Sequence, residues 1–151
     1  FGRRIAAPRL SAWYAEPGCS YRYSGLSLAA QPFTPVLAQI RARTEALTGH
    51  GFNSVLLNLY RDGADGMSWH SDDEPELGPA PLIASVSLGA TRRLLLRRRD
   101  AHDARLGLDL GDGSLLLMEP PLQCYWQHSV PKTRRAVGPR INLTWRRILT
   151  R

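Results

Sequence analysis

The sequence predicts a mainly β fold with flanking helices (an α+β protein), arranged as a jelly-roll-like double sheet or barrel. Two observations predict it: short alternating runs separated by turn signals fill the chain from residue 52 onward, and only one stretch has a clear helical pattern. At 151 residues the chain has room for one domain with a sizeable core. We therefore expect a single domain over residues 1–151. The first residue is Phe1 rather than Met, which leaves open whether further chain precedes it.

Seven runs have the composition and alternation of strands, at residues 52–60, 82–88, 94–98, 106–110, 114–118, 124–128 and 140–148. The sequence Gly111-Asp112-Gly113 predicts a tight turn between two of them. In the arginine-rich run, alternation puts Arg93 and Arg97 on one side of the strand and Arg92 and Arg98 on the other. Several short strands in succession are typical of a two-sheet architecture.

One helix is predicted between Thr34 and Gly49. Thr34 is a suitable N-cap, Pro35 fits the first turn, and Gly49 can end the helix. Its predicted apolar stripe, which also includes one threonine, consists of Val36, Leu37, Ile40, Thr44 and Leu47. We expect this stripe to pack on the outside of a sheet.

Composition excludes several classes of protein. Hydrophobic content of 43% and charged content of 22% are typical of a globular domain, and no run of about 18 apolar residues could span a membrane. Cys19 and Cys124 have no C-x-x-C spacing, which favours a reducing compartment over a disulfide scaffold. The sequence as read has no secretion leader. We expect a monomer without membrane contact in the cytoplasm, of a bacterium most naturally, or in the nucleus of a eukaryote.

The net charge of +7 comes almost entirely from arginine, since Lys132 is the only lysine. Five arginines lie within residues 92–99, and residues 132–135 form a second basic cluster. Because arginine matches phosphate geometry, such a surface favours polyanionic partners. A genome that prefers arginine codons would explain the same composition, so charge alone leaves nucleic-acid binding open.

Three residues have the side chains of a non-haem iron site. His70 and Asp72 are two positions apart, and His128 lies far along the chain. Two imidazoles and one carboxylate form the facial triad of Fe(II) oxygenases, which leaves coordination positions open for a co-substrate and O2. A histidine beside an aspartate is also common as a simple hydrogen-bonded pair. We interpret the two other histidines, His50 and His102, as solvated or structural.

The segment that begins at Arg140, twelve residues after His128, has one polar and one apolar face. Strand alternation puts Ile141, Leu143 and Trp145 on the apolar face. The polar face carries Arg140, Asn142, Thr144 and Arg146. Two guanidinium groups and two neutral hydrogen-bonding groups can grip a small dianion, and 2-oxoglutarate, a dicarboxylic acid that also chelates metal, is the obvious candidate. A solvent-exposed strand face is the alternative.

Four segments together resemble the AlkB family of Fe(II)/2-oxoglutarate dioxygenases, most closely the branch of its second and third human homologues and their bacterial relatives. They are Asn58-Leu59-Tyr60, His70-Ser71-Asp72-Asp73-Glu74, His128-Ser129-Val130-Pro131 and the segment from Pro139 to Arg146. The resemblance covers nearly the whole chain. It implies a double-stranded β-helix (jelly-roll) core, with Fe(II) held by His70, Asp72 and His128.

The resemblance also implies a co-substrate site and an activity. The residues that would hold 2-oxoglutarate are Asn58, Tyr60, Arg140, Asn142, Thr144 and Arg146. The implied reaction uses O2 to demethylate N-alkylated bases of the 1-methyladenine and 3-methylcytosine type in DNA or RNA. It releases formaldehyde, succinate and CO2, and it would serve the repair of alkylation damage.

By the same resemblance, the alkylated base would contact Tyr21, Tyr23, Asp73, Glu74 and Arg9. The nucleic-acid backbone would contact Arg98, Lys132, Arg134 and Arg135. Two other functions stay open at this point. The chain could be an oxygenase that acts on a protein side chain or a small molecule, or a non-enzymatic basic domain that binds nucleic acid and whose His/Asp cluster is structural or holds zinc.

Overall fold

Eleven described strands and two helices build the protein. The computed structural model describes residues 7–23, 26–28 and 30–149, and between residues 21 and 29 it describes the backbone without side chains. In chain order the elements are β1 (Leu10–Ala15), β2 (Tyr21–Tyr23), β3 (Leu26–Leu28), α1 (Pro35–Thr48), β4 (Ser54–Tyr60), β5 (Met67–His70), a 3-10 turn (Pro75–Leu77), β6 (Ile83–Gly89), β7 (Arg92–Arg98), β8 (Arg105–Leu110), β9 (Leu115–Met118), α2 (Leu122–Tyr125), β10 (Trp126–Val130) and β11 (Arg140–Arg146).

Two antiparallel sheets form the jelly roll. The major sheet has the strand order β1-β4-β11-β6-β9, and the minor sheet has the order β5-β10-β7-β8. Strands β2 and β3 pair separately as a hairpin. One buried cluster joins Tyr60 of the major sheet to Leu94, Leu96 and Val130 of the minor sheet, so the sheets face each other across a shared interior. The predicted mainly β, jelly-roll architecture is confirmed.

Helix α1 covers the outer face of the major sheet. Thr34 caps it by accepting a hydrogen bond from the Leu37 backbone N–H, and Gly49 ends it in the left-handed conformation at φ 74°. A cluster that includes Leu37, Val55 and Trp145 lies between the helix and the sheet. The helix and its packing are thus confirmed.

The predicted stripe of α1 was wrong at two positions. Val36 is 63% exposed and Leu47 is 71% exposed, whereas Leu37 and Thr44 are buried. The helix contacts the sheet along a strip narrower than its apolar pattern, because successive helical residues are about 100° apart and Val36 therefore points to one side of Leu37.

Most predicted strands begin and end within two residues of the observed ones. The strand predicted at residues 124–128 was wrong at its start, because Cys124 and Tyr125 lie in α2 and β10 begins at Trp126. After the two prolines at 120 and 121, local hydrogen bonds from the Leu122 and Cys124 N–H groups close successive turns instead of a ladder. This turn buries Gln123 completely, at 1% exposure. Strands β1, β2, β3 and β5 lie outside the seven predicted runs.

The turn after β6 places Arg140 at the centre of the major sheet. Gly89 has φ 88°, and a Cβ there would lie 2.5 Å from the Pro139 carbonyl oxygen, so only glycine fits. In this register Arg140 pairs with Gly89 on one side and Tyr60 on the other. The tight turn predicted at residues 111–113 is also present, with the Ser114 N–H donating to the Gly111 carbonyl.

Candidate active site

The three predicted metal ligands lie together on the inner side of the minor sheet. His70 ends β5, and it pairs in register with His128 of β10. The ring centroids of the two imidazoles are 4.1 Å apart, and His70 Nε2 lies 3.8 Å from Asp72 Oδ1. Within the described chain, these three residues form the group whose possible ligand atoms all lie within 4.8 Å of one another. Strand pairing therefore brings together residues that are 58 positions apart.

The hydrogen bonds around the triad leave ligand atoms available. The Nδ1 atom of His70 lies 2.9 Å from the Ser68 carbonyl oxygen, an arrangement in which Nδ1 carries the proton and Nε2 keeps its lone pair. Asp72 Oδ2 accepts a hydrogen bond from Arg146 at 2.8 Å, while Oδ1 is buried and, among described residues, has no hydrogen-bond partner. A buried carboxylate oxygen without a donor fits a bound cation. Two imidazoles with one carboxylate suit Fe(II).

Protonation also suits metal binding. Burial lowers the pKa of His128 to about 4 and lowers that of His70 below its ordinary value, so both imidazoles are neutral near pH 7. Burial alone would raise the pKa of Asp72, but the neighbouring positive charge, first that of the Arg146 guanidinium, which also donates a hydrogen bond, outweighs burial, and the net shift is downward. A neutral imidazole pair beside an ionised carboxylate is the ligand state that a divalent cation needs.

These shifts predict how the metal-free protein responds to acid. The unfolded chain takes up a proton at His128 near the ordinary pKa of 6.5, whereas the folded protein resists protonation down to about 4. We therefore expect the free energy of unfolding to fall as pH drops from about 6.5 to 4, by about 3 kcal/mol from this residue. Denaturant unfolding across that range, after removal of metal, measures the slope. His128→Gln should flatten it, and His102→Gln, at an exposed loop histidine, should not; equal slopes in both variants would contradict the assignment.

Gln123 positions the carboxylate ligand, and sequence reasoning missed it. Its Oε1 accepts a hydrogen bond from the Asp72 backbone N–H at 2.9 Å, and its amide nitrogen contacts the Met118 sulfur at 3.7 Å. The Ser71 hydroxyl holds the same segment by donating to the Trp126 carbonyl at 2.7 Å. No periodic signal marks Gln123, because it lies in a four-residue helix.

We expect Gln123→Ala to weaken metal binding by about 10- to 100-fold, the usual effect of losing a group that orients a ligand. The physical reason is that the Asp72 N–H loses its buried acceptor and the carboxylate is no longer fixed. Anaerobic titration with Fe(II) or Mn(II) measures the change. Gln39→Ala, on an exposed position of α1, is the matched control; equal affinities in the two variants would show that Gln123 does not position the ligand.

Arg140 lies at the opposite end of the polar face of β11. It is 2% exposed, and its Nη2 donates to the Ser87 hydroxyl at 2.8 Å. Its Nε and Nη1 have no hydrogen-bond partner among the described residues. The guanidinium carbon lies 5.3 Å from the Tyr60 ring centroid, and Arg92 approaches the same ring at 5.5 Å. A buried guanidinium without a carboxylate is costly, so this arrangement favours an anionic ligand.

Between Arg140 and the triad, neutral side chains line a shared cavity. The amide nitrogen of Asn142 donates to the Ser85 hydroxyl at 2.7 Å, and the Thr144 hydroxyl donates to Asn142 Oδ1 at 3.0 Å. Of the predicted co-substrate residues, all six line the cavity that the three metal ligands also line: Asn58, Tyr60, Arg140, Asn142, Thr144 and Arg146. A dicarboxylate has hydrogen-bond donors along this face, with cationic Arg140 at one end and the metal ligands at the other.

Sequence reasoning missed Ser85, Ser87 and the buried position of Arg92. Ser85 and Ser87 alternate along β6 and face the polar side of β11, a period-two signal that could have been found. Arg92 was grouped with a basic surface, but it is buried and donates to the carbonyls of Asp62, Asp65 and Pro131. Its burial could not be read from the sequence, because alternation predicts the side of a strand and not how the loops cover it.

Of the predicted base-contacting residues, Arg9, Asp73 and Glu74 have described side chains. Arg9 Nε donates to Asn58 Oδ1 at 2.8 Å, which brings it to the predicted co-substrate residues. Asp73 is exposed and forms an ion pair with Arg99, and Glu74 lies at the start of the 3-10 turn. The side chains of Tyr21 and Tyr23 lie outside the described residues.

The predicted backbone-contacting residues divide into two groups. Lys132, Arg134 and Arg135 are exposed on the loop between β10 and β11. Lys132 and Arg135 also line a groove of about 620 Å³, which Arg93 and its ion-pair partner Asp109 line as well. Arg98 instead donates to both carboxylate oxygens of Asp100, at 2.7 and 2.6 Å. The loop of residues 132–135 therefore carries more exposed positive charge than the site of Arg98, whose guanidinium pairs with Asp100.

Comparison with known proteins identifies the family. The family model described as "2OG-Fe(II) oxygenase superfamily" matches residues 2–146. The chain belongs to this superfamily. It is 44% identical to the mouse DNA oxidative demethylase ALKBH2 over 99% of the chain and 65% of that protein. It is 45% identical to the human alpha-ketoglutarate-dependent dioxygenase alkB homolog 3 over 93% of the chain and 52% of that protein.

These findings confirm the resemblance to the AlkB family and, with it, the expectation of Fe(II), 2-oxoglutarate and O2 as the family's metal and co-substrates. A solved structure described as OsALKBH1 aligns with 97% of the chain and 82% of its own length at a TM-score of 0.64 and 19% identity, which supports the fold. The chain spans between half and two thirds of the length of the curated relatives it matches. None of its described helices is long and apolar enough to cross a membrane.

Proposed function

We propose that this chain is an Fe(II)/2-oxoglutarate-dependent dioxygenase that removes methyl groups from N-alkylated bases in DNA. The observation that carries the proposal is one cavity with two complementary ends. One end has three metal-ligand side chains with a free buried carboxylate oxygen, and the other has a buried guanidinium with no anion among the described residues. A ligand that is both chelator and dianion satisfies both ends.

In this proposal His70, Asp72 and His128 hold Fe(II), and Arg140 pairs with the distal carboxylate of 2-oxoglutarate. Bound iron supplies oxidation of the N-methyl group by O2, coupled to conversion of 2-oxoglutarate to succinate and CO2. The oxidised methyl group leaves as formaldehyde. The chain's own work is placement: Asn142 and Thr144 orient the co-substrate, and Arg146 holds the carboxylate ligand in position.

DNA is the proposed substrate because two features point to a polyanion. Exposed cations cluster on the loop of residues 132–135, at Lys132, Arg134 and Arg135. The mouse relative named above is a DNA oxidative demethylase. A base inside a duplex cannot reach a metal between two sheets, so the base must be flipped out or supplied single-stranded. RNA with the same bases is the second substrate we propose.

The proposed base contacts are Arg9, Asp73, Glu74, Tyr21 and Tyr23. Arg9 already touches Asn58, and Asp73, which follows the metal ligand Asp72, is exposed and pairs with Arg99. A carboxylate beside the base would favour a cationic methylated base over the neutral base without the methyl group. We further propose that the protein acts as a monomer.

The test is formaldehyde release from oligonucleotides that carry 1-methyladenine or 3-methylcytosine, as single-stranded DNA, duplex DNA and RNA. Iron-loaded protein with 2-oxoglutarate should release formaldehyde and restore the unmethylated base. Turnover of 2-oxoglutarate without product on any of these strands would overturn the substrate, and an absence of turnover with all acceptors, including peptides, would overturn the enzyme.

A further inference from the structure

The outer face of the minor sheet carries an aromatic–arginine pair that the cavity between the sheets does not use. The guanidinium carbon of Arg97 lies 4.3 Å from the Trp69 ring centroid. Arg97 Nε and Nη2 both donate to Gln127 Oε1, at 3.0 and 2.8 Å. Two hydrogen bonds to one oxygen fix the guanidinium group over the indole ring, where it interacts favourably with the π system.

Strand alternation places this pair on the side away from the metal ligands. Trp69 precedes His70 on β5, and Gln127 precedes His128 on β10. Gln127 and Arg97 are partners in the register between β10 and β7. Since successive side chains of a strand point to opposite faces, Gln127 points outward beside the inward ligand His128, and its register partner Arg97 points outward with it. The register between β5 and β10 shifts between His128 and Val130, so the position of Trp69 follows from its contact with Arg97. The contact among the three side chains agrees with this.

Trp69 also lines an open, positively charged groove. The groove measures about 520 Å³, and beside Trp69 it is lined by three cationic side chains, those of Arg9, Arg105 and Lys132. Among the described residues that line it, none is acidic. Trp69 is only partly buried, although an indole that served packing alone would gain most from complete burial.

We propose that Trp69 is a stacking site for an unpaired base of a nucleic-acid strand, with Arg105 and Lys132 next to the strand's phosphates. A cationic groove with an aromatic side chain is how proteins hold single strands without reading their sequence, because every base has a π face. The charge of the groove complements a polyanion, and the ring adds a contact that only a base-bearing polyanion can use. This proposal rests on the nucleic-acid part of the proposed function and is independent of demethylation.

The test measures binding of unmethylated, fluorescently labelled oligothymidylate to metal-free protein, by anisotropy. Trp69→Ala should weaken binding about tenfold, within the range for loss of one stacked base. Trp69→Phe should restore most of the affinity, because a ring remains. Arg43→Ala is the matched control: it removes an exposed arginine from α1, on the far side of the major sheet, and should leave affinity within about twofold.

A second strand separates stacking from a loss of fold. An abasic oligonucleotide has the phosphates without the bases, so wild-type protein and Trp69→Ala should bind it equally. If Trp69→Ala weakens binding of the abasic strand or of heparin as much as it weakens oligothymidylate, the residue is structural and the proposal is overturned. Unchanged binding of oligothymidylate in Trp69→Ala also overturns it.

The outcome is distinguishable from that of the demethylase assay. Neither iron nor a methylated base is present in the binding measurement. A protein that fails to release formaldehyde but loses oligothymidylate affinity through Trp69→Ala contradicts the proposed reaction and supports the stacking site. If the wild-type protein demethylates DNA and Trp69→Ala binds oligothymidylate as tightly as the wild type does, the proposed reaction is supported and the stacking site is overturned.

Discussion

Asp72→Asn is expected to abolish turnover of 2-oxoglutarate. The substitution keeps the shape of the side chain and removes the negative charge that the two neutral imidazoles need beside them to hold a divalent cation. Affinity for Fe(II) should fall by at least about 100-fold, since loss of a ligand should cost no less than loss of a group that merely orients one. Anaerobic metal titration and succinate formation measure the two effects.

The same substitution also removes the carboxylate from a buried ion pair. Arg146 is 3% exposed and donates to Asp72 Oδ2, and breaking such a pair costs about 3–5 kcal/mol of stability. His70→Ala therefore serves as the companion variant, because His70 is partly exposed and is hydrogen-bonded through Nδ1 to the Ser68 carbonyl alone in the described hydrogen-bond network. His50→Ala, at an exposed histidine after α1, is the control. Folded His70→Ala protein that still turns over 2-oxoglutarate would remove this ligand assignment.

Arg140→Met is expected to raise the KM for 2-oxoglutarate by about 100-fold or more. Loss of one partner of a buried charge pair costs about 2–5 kcal/mol, and here the lost partner would face the distal carboxylate. The KM of Arg140→Lys should lie between those of the wild type and Arg140→Met, because an ammonium group keeps the charge but not the two-pronged hydrogen bond. Steady-state kinetics with varied 2-oxoglutarate gives the KM, and Arg147→Ala, at the exposed neighbour of β11, is the matched control.

Stability separates this account from a structural role for Arg140. Without a co-substrate the guanidinium is buried and its Nε and Nη1 are unpaired among the described residues, so an apolar side chain should be as stable or more stable there. We therefore expect ligand-free Arg140→Met to unfold at a free energy equal to or above that of the wild type. Added 2-oxoglutarate should stabilise only the wild type. A destabilised variant with an unchanged KM would contradict the carboxylate clamp.

The sequence predicts the site better than its surroundings. Alternation along β11 correctly separates Arg140, Asn142 and Thr144 from the apolar face, because a strand's period of two holds wherever one face is buried. Sequence spacing does not show which strands pair. In the structure, β5 pairs with β10, and this pairing brings His70 next to His128. The strand β5 itself has only four residues and carries too little pattern to be predicted.

Groups that act through burial could not be predicted from the sequence. Arg92 and Gln123 have ordinary polar side chains in unremarkable sequence, and only the packed structure gives them carbonyl or N–H partners. The same holds for Trp69. It lies next to a predicted metal ligand in the sequence, but that position does not predict the contact of its ring with Arg97. Local pattern thus identifies which side of an element a residue takes, while tertiary packing decides what it meets there.

The most direct measurement is an anaerobic crystal structure of the protein with Fe(II) and 2-oxoglutarate. The account predicts one metal ion held by His70, Asp72 and His128, with the keto acid reaching from that ion to a two-pronged contact with Arg140. A metal ion bound elsewhere, or a distal carboxylate that points into solvent while Arg140 stays unpaired, would contradict it.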